Sequence, residues 1–198
     1  MVRTLIIIEK KSLSQRGFTL VELMVVVAIT ALIAGLSLAE ISSASHKLKG
    51  AAQTLRAKMQ QAKLIAVKDN CNVYVDFDLD GGGAIDSFYT IWRDLNNNTS
   101  YDAALELVEQ VTLPSTIVFG RVASGKGGPS TSASGTSSTD IVSFSGDSVR
   151  FTPQGTGSPG WAYLHAPAND AAGTYAVGSN NVGRIQTRYW TTEGGSWR

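Results

Sequence analysis

Hydrophobic residues fall along this chain in three successive patterns. From Phe18 to Ala39 they are nearly continuous, FTLVELMVVVAITALIAGLSLA, with one charge, Glu22. Some 20 apolar residues in helix span the hydrocarbon core of a bilayer. From Ile41 the period becomes helical: Ile41, Ser45, Leu48, Ala52, Leu55, Met59, Ala62 and Ala66 form a stripe at spacings of three and four, with lysines and Arg56 opposite. No proline interrupts residues 18–68, so the spacing predicts a helix of about 50 residues, about 75 Å if unbroken. Gly35 is its one weak point. After Asn70 the runs become short and β-like.

The expected strands are Asn72 to Phe77, Ser87 to Arg93, Leu107 to Leu113, Thr116 to Arg121, Asp140 to Phe144, Ser148 to Thr152, Trp161 to His165, Thr174 to Val177 and Gly183 to Trp190. The first two flank the turn Asp78-Leu-Asp-Gly-Gly-Gly83 and read as a hairpin. Ala123 to Thr139, rich in Ser, Gly and Thr, reads as a flexible surface loop. A long helix followed by many strands indicates an α+β fold, the helix laid on antiparallel sheet. The parts are then a basic leader, 1–17; an apolar helix, 18–39; an amphipathic helix, 40–69; and a β-rich head, 70–198.

Charge sharpens this picture. The formal net charge of +1 conceals three blocks. Arg3, Lys10, Lys11 and Arg16 precede the apolar run, which predicts a cytoplasmic N-terminus and export of everything after Ala39. Six basic residues lie between Glu40 and Lys68. From Asp69 onward seven basic face thirteen acidic residues, unlike a general nucleic-acid binder, which needs a basic face. Cys71 is the one cysteine, so no intrachain disulfide can form. The histidines, His46 and His165, sit in separate segments and join no triad, metal pair or Cys/His dyad; no phosphate loop is present. The chain is not expected to be an enzyme or to carry a cofactor, calcium aside.

Glu22 decides among three readings of the N-terminus. A secretory signal peptide has a small-x-small site at Ser37-Leu38-Ala39, but its apolar region is usually 7–15 residues. A plain anchor explains the length and leaves the carboxylate, which costs about 2.5–3.5 kcal/mol at a helix centre, without a reason. The third reading rests on a family resemblance, which implies cutting after Gly17; the new amine on Phe18 would then give Glu22 of a neighbouring subunit a partner.

The segment Lys11-Ser-Leu-Ser-Gln-Arg-Gly-Phe-Thr-Leu-Val-Glu22 closely resembles the signal of type IV prepilins and type II secretion pseudopilins, matching at Gly17, Phe18, Thr19, Leu20, Val21 and Glu22. The helix end from Leu55-Arg56 to Lys68-Asp69-Asn70, the segment Val149-Arg-Phe-Thr-Pro-Gln-Gly155 and the late Gly183-Arg184 resemble the GspH/FimT minor pilins and pseudopilins. The resemblance implies cleavage between Gly17 and Phe18 by a prepilin peptidase that also methylates Phe18. It implies residence in the bacterial inner membrane in a single pass with the head periplasmic, then assembly with other pilin or pseudopilin subunits into a pilus or pseudopilus. Many pilins have Pro where this chain has Ala39.

Two head motifs carry further expectations. Asp94, Asn96, Asn98 and Asp102 alternate oxygen side chains, which suits Ca2+. Thr99 stands where an EF-hand-like loop has Gly, and Glu106 falls one place beyond the closing acid; a polar turn explains the composition equally. Asp76, Asp78 and Asp80 alternate too, as strand and turn residues do. Some family members bind DNA through a Gly-Arg-x-Arg phrase. Here Gly183-Arg184-Ile-Gln186 lacks the second arginine, and Arg188 follows with Tyr189 and Trp190. On a strand Arg184, Gln186 and Arg188 would share a face, giving a DNA grip as the alternative function.

Overall fold

The computed structural model describes residues 19–41, 44–78, 85, 87–121, 141–190 and 197–198. The leader, most of the 78–83 turn and the 123–139 loop lie outside these residues. The chain divides into two compact units, Met1–Ile41 and Ser42–Arg198.

The first unit contains helix α1, Leu20–Ile41. It runs through Gly35 without a break. Its described side chains, to Leu32, are all exposed, including Leu20, Val21, Leu23 and Met24. Among the described residues no helix is long and apolar enough to cross a membrane; the described side chains cover only the first part of α1.

The second unit opens with α2, Ala44–Asp69. Ala, Leu, Met, Gln, Lys and Arg dominate it, all good helix formers. Asn70 ends it in the left-handed conformation, φ 52°, which a short polar side chain tolerates. Leu48, Ala51, Ala52, Leu55, Met59, Ala62 and Ala66 are its buried face. That is the stripe expected from sequence with Ala51 added and Ser45 left exposed at the first turn; Ile41, its expected first member, belongs to α1, and its side chain lies outside the described ones.

Two four-stranded antiparallel sheets complete the head. Sheet one is ordered β3-β2-β1-β5, with β1 at Asn72–Asp76, β2 at Phe88–Asp94, β3 at Leu107–Thr112 and β5 at Ser148–Phe151. Sheet two is ordered β4-β6-β7-β8, with β4 at Val118–Phe119, β6 at Gly160–His165, β7 at Thr174–Ser179 and β8 at Ile185–Trp190. Helix α2 packs against β1 and β5 of the first sheet and β6, β7 and β8 of the second. Its stripe, with Val73, Val75, Ile91, Val149, Phe151, Ala162, Leu164 and Val177, makes one hydrophobic core. Polar ties reinforce the contact: Lys58 pairs with Glu109 at 2.5 Å and Arg93 with Asp69 at 3.1 Å.

The α+β architecture agrees with the sequence reading, and two expected strands shrink. Asp140 to Phe144 gives a single bridge, Val142 to Ala162, because Gly146 and Asp147 turn the chain through positive φ, 66° and 48°, before β5. Thr116 to Arg121 contracts to the two residues of β4, bounded by a turn in which Ile117 N–H donates to Pro114 O and by Gly120 at φ 150°.

Candidate functional site

Gly17 and Phe18 lie outside the described residues; Glu22 lies inside them. Thr19 and Glu22 form a reciprocal pair at the head of α1. Glu22 N–H donates to Thr19 Oγ1 at 3.2 Å, and Thr19 N–H donates to Glu22 Oε2 at 3.1 Å. This is a capping box, which satisfies two amides that the first helical turn leaves without partners. Sequence reasoning missed it, although Thr19-x-x-Glu22 before an apolar run is its signature. The carboxylate therefore has a local task at the positive end of the helix dipole, independent of any neighbouring subunit.

The two glycine phrases of the head meet around α2. Gly155, φ 76°, and Gly183, φ 69°, lie back to back; a Cβ on Gly183 would fall 2.2 Å from Gly155 O. Lys63 of α2 donates to Gly183 O at 2.9 Å. Three segments remote in sequence thus close one clasp, which holds the helix to the ends of both sheets.

Arg184 and Arg188 are both exposed. Arg184 precedes β8 in the Asn180–Gly183 turn, its N–H donating to Asn180 Oδ1 at 2.8 Å, and Arg188 sits on β8 opposite Ala176. The aromatics expected beside them are engaged inward. Tyr189 donates its hydroxyl to Ala172 O at 3.0 Å with its ring centroid 4.5 Å from that of Tyr175, and Trp190 is buried. Tyr189 itself stays half-buried.

The Asp94–Asp102 segment forms a lid over sheet one. Trp92 stacks on Tyr74 at 4.3 Å, and Tyr101 folds back to 5.8 Å from Trp92, so both inner rings are buried on what would be the open face of the sheet. Two buried carboxylates hold the lid. Asp94, 2% exposed, accepts the N–H groups of Asn98 and Thr99 at 3.0 and 3.2 Å. Glu106, 1% exposed, accepts those of Leu95 and Asp102 at 3.0 and 2.9 Å. Asn96 Oδ1 and Asn98 Oδ1 accept the amides of Asn98 and Ser100, and Asp102 Oδ1 that of Ala104. All four side chains expected as calcium ligands thus accept loop amides. Among the described residues no group of three His, Cys, Asp or Glu could hold a metal ion. Asn97 and Thr99 adopt positive φ, 58° and 59°, a strained state for a β-branched residue, which the Asp94 carboxylate over-determines.

Glu106→Ala should therefore unfasten the lid. It leaves two amides without their acceptor at about 1–3 kcal/mol each, an expected loss of about 2–4 kcal/mol in chemical denaturation. Tryptophan emission from Trp92 should shift red at the same time, and unchanged emission would refute the lid.

Burial pushes the Asp76 carboxyl up to about 6, Asp78 and Asp147 raise it further, and hydrogen bonds from Asp78 N–H and Trp92 partly oppose the rise. Asp80 lies outside the described residues. His165 is lowered by burial, and Cys71, half-buried, is raised by burial and by Asp69.

Comparisons with known proteins follow this geometry. Residues 12–38 match the prokaryotic N-terminal methylation motif, and residues 51–183 match type II transport protein GspH. The pilin-like protein PilA1 of Thermus thermophilus is 32% identical over 94 residues, 48% of this chain and 58% of that protein, so the chain spans less than two thirds of that relative. Among solved structures, the minor pseudopilin EpsH from the type 2 secretion system of Vibrio cholerae aligns at a TM-score of 0.46 and 12% identity, over 73% of this chain and 97% of that one. The type IV minor pilin FimU of Pseudomonas aeruginosa aligns at 0.45 and 17%, over 71% and 91%. The GspH match alone covers well over half of the residues, and with the methylation motif ahead of it this chain belongs to the type II transport protein GspH family.

Proposed function

We propose that the chain is made as a precursor, cut between Gly17 and Phe18 and methylated on the new Phe18 amine by a prepilin peptidase. It is then held in the inner membrane by α1, N-terminus cytoplasmic and head periplasmic, until it joins or primes a filament of a type IV pilus or a type II secretion system. It acts there as a minor, structural subunit, with Glu22 as the charge that sets register against a neighbour's amine. One observation carries this reading: the Gly17-Phe18 junction and a lone carboxylate in an apolar run occur together inside the matched methylation motif, directly after a basic leader and ahead of a GspH-type head.

Mass spectrometry of the mature chain from membranes tests it. The expected N-terminus is methylated Phe18. A mature chain that starts at Glu40 would make the segment an ordinary signal peptide and overturn the reading.

The alternative, a grip on DNA through Arg184 and Arg188, keeps two exposed guanidiniums, beside a half-buried Tyr189 and a buried Trp190. Salt-sensitive retention on DNA, abolished by Arg184→Ala with Arg188→Ala, is the measurement that would favour it.

A further inference from the structure

A groove of about 270 Å³ runs between the first turns of α2 and β3. Its walls are mainly apolar: Ala51 on the helix and Val111, Leu113 and Pro114 opposite. Tyr89, whose buried hydroxyl has no hydrogen-bond partner among the described residues, also lines it. Lys47 stands at one side, exposed.

Gly50 is the informative residue. Glycine inside a helix costs about 0.5–1 kcal/mol relative to alanine. Here no neighbour demands it, because a Cβ built on Gly50 meets nothing within 4 Å. Its effect is to leave the groove open, on the same helical face as Lys47, Ala51 and Thr54.

The helix wall of the groove is basic, while Glu109 on β3, paired with Lys58, lies close enough to act on Tyr89. Between Glu40 and Asp69 the sequence has no acidic residue, and His46, Lys47, Lys49 and Arg56 are exposed. Lys47 lies six residues past the end of α1. Chain connectivity alone keeps it within about 20 Å of Ile41, and each lysine or arginine near an anionic leaflet gains about 1 kcal/mol.

We propose that this groove binds an anionic phospholipid, with the phosphate on Lys47 and a stretch of one acyl chain along Gly50, Ala51, Val111 and Leu113. The inference rests on the reading that α1 lies in a membrane. It goes beyond that reading by giving the head its own lipid contact, one that must break before the subunit leaves the bilayer.

The test uses the full chain reconstituted into vesicles of phosphatidylcholine, alone or with phosphatidylglycerol, and then released into mild detergent for native mass spectrometry. The expected result is one retained phosphatidylglycerol per chain. Lys47→Gln should reduce retention at least several-fold. Gly50→Leu fills the groove and improves helix propensity, so it should abolish retention with the melting temperature unchanged or raised. Equal retention by wild type and Gly50→Leu overturns the proposal. So does a Gly50→Leu chain that keeps its lipid and fails to assemble, which would assign the groove to a neighbouring subunit. Alkaline extraction of the vesicles separates the two readings. A chain that washes off breaks the membrane reading and the proposal with it. A chain that stays anchored without a lipid adduct breaks the groove alone.

Discussion

Gly183→Ala is expected to destabilise the head by about 3–5 kcal/mol, combining the cost of a left-handed residue with a Cβ with that of overpacking. The added carbon has nowhere to go: it would sit 2.2 Å from a backbone oxygen, and at φ 69° the backbone gains nothing by keeping it. Relief requires Gly155 and Gly183 to part, which also stretches the bond from Lys63 Nζ to Gly183 O. The neighbouring substitution is the control. A Cβ on Gly155 would meet Lys63 Cε at 3.5 Å and Val67 Cγ2 at 3.8 Å, ordinary contacts, so Gly155→Ala carries only the conformational cost of about 1–2 kcal/mol. At about 2–4 °C per kcal/mol for a unit of this size, the first variant should melt about 10 °C below wild type and the second only a few degrees. Equal losses would show that the clasp acts through backbone conformation alone.

Substitution of Glu22 is the second large effect, and the choice of replacement separates its two tasks. Glu22→Gln retains an oxygen for Thr19 N–H, so the capping box persists while the charge is removed. Glu22→Val removes both. If the carboxylate pairs with a neighbour's Phe18 amine, either change strands that amine in a low-dielectric interface at about 3–5 kcal/mol. Filament incorporation, measured as the fraction of subunit recovered in sheared filaments, should then fall about a hundred-fold or more for both. Wild-type incorporation of Glu22→Gln would refute the register role and leave the carboxylate as a helix cap, worth about 1 kcal/mol.

The sequence was most legible where a period ran long. The α2 stripe from Leu48 to Ala66 was read almost residue by residue, because burial on one helical face repeats over about five turns. Most strands were found because β-branched and aromatic runs were cut off by Gly, Pro and Asn. The failures were local. Asp140 to Phe144 has the composition of a strand, and left-handed turn residues just beyond it deny the pairing length. The Asp94–Asp102 segment is a different case: its alternating oxygens serve a turn whose side chains bind their own amides, a use that composition does not separate from cation binding. The buried roles of Tyr189 and Trp190 depended on Ala172 and on the returning Trp197, partners that no local pattern announces. Lys63, Gly155 and Gly183 could each be seen in the sequence; that they touch could not, since contact across 120 residues leaves no periodic trace.

The way α2 serves both sheets has a mechanical meaning. A pull directed along the axis of α2 would load its buried face, which runs from Leu48 to Ala66 and holds the Lys63–Gly183 bond near its far end. Along that line the stripe is loaded in shear, with its contacts sharing the force, rather than peeled one at a time. The head is therefore fastened to its tether by its strongest direction. A subunit hauled lengthwise would give way elsewhere before its helix slid from between the sheets.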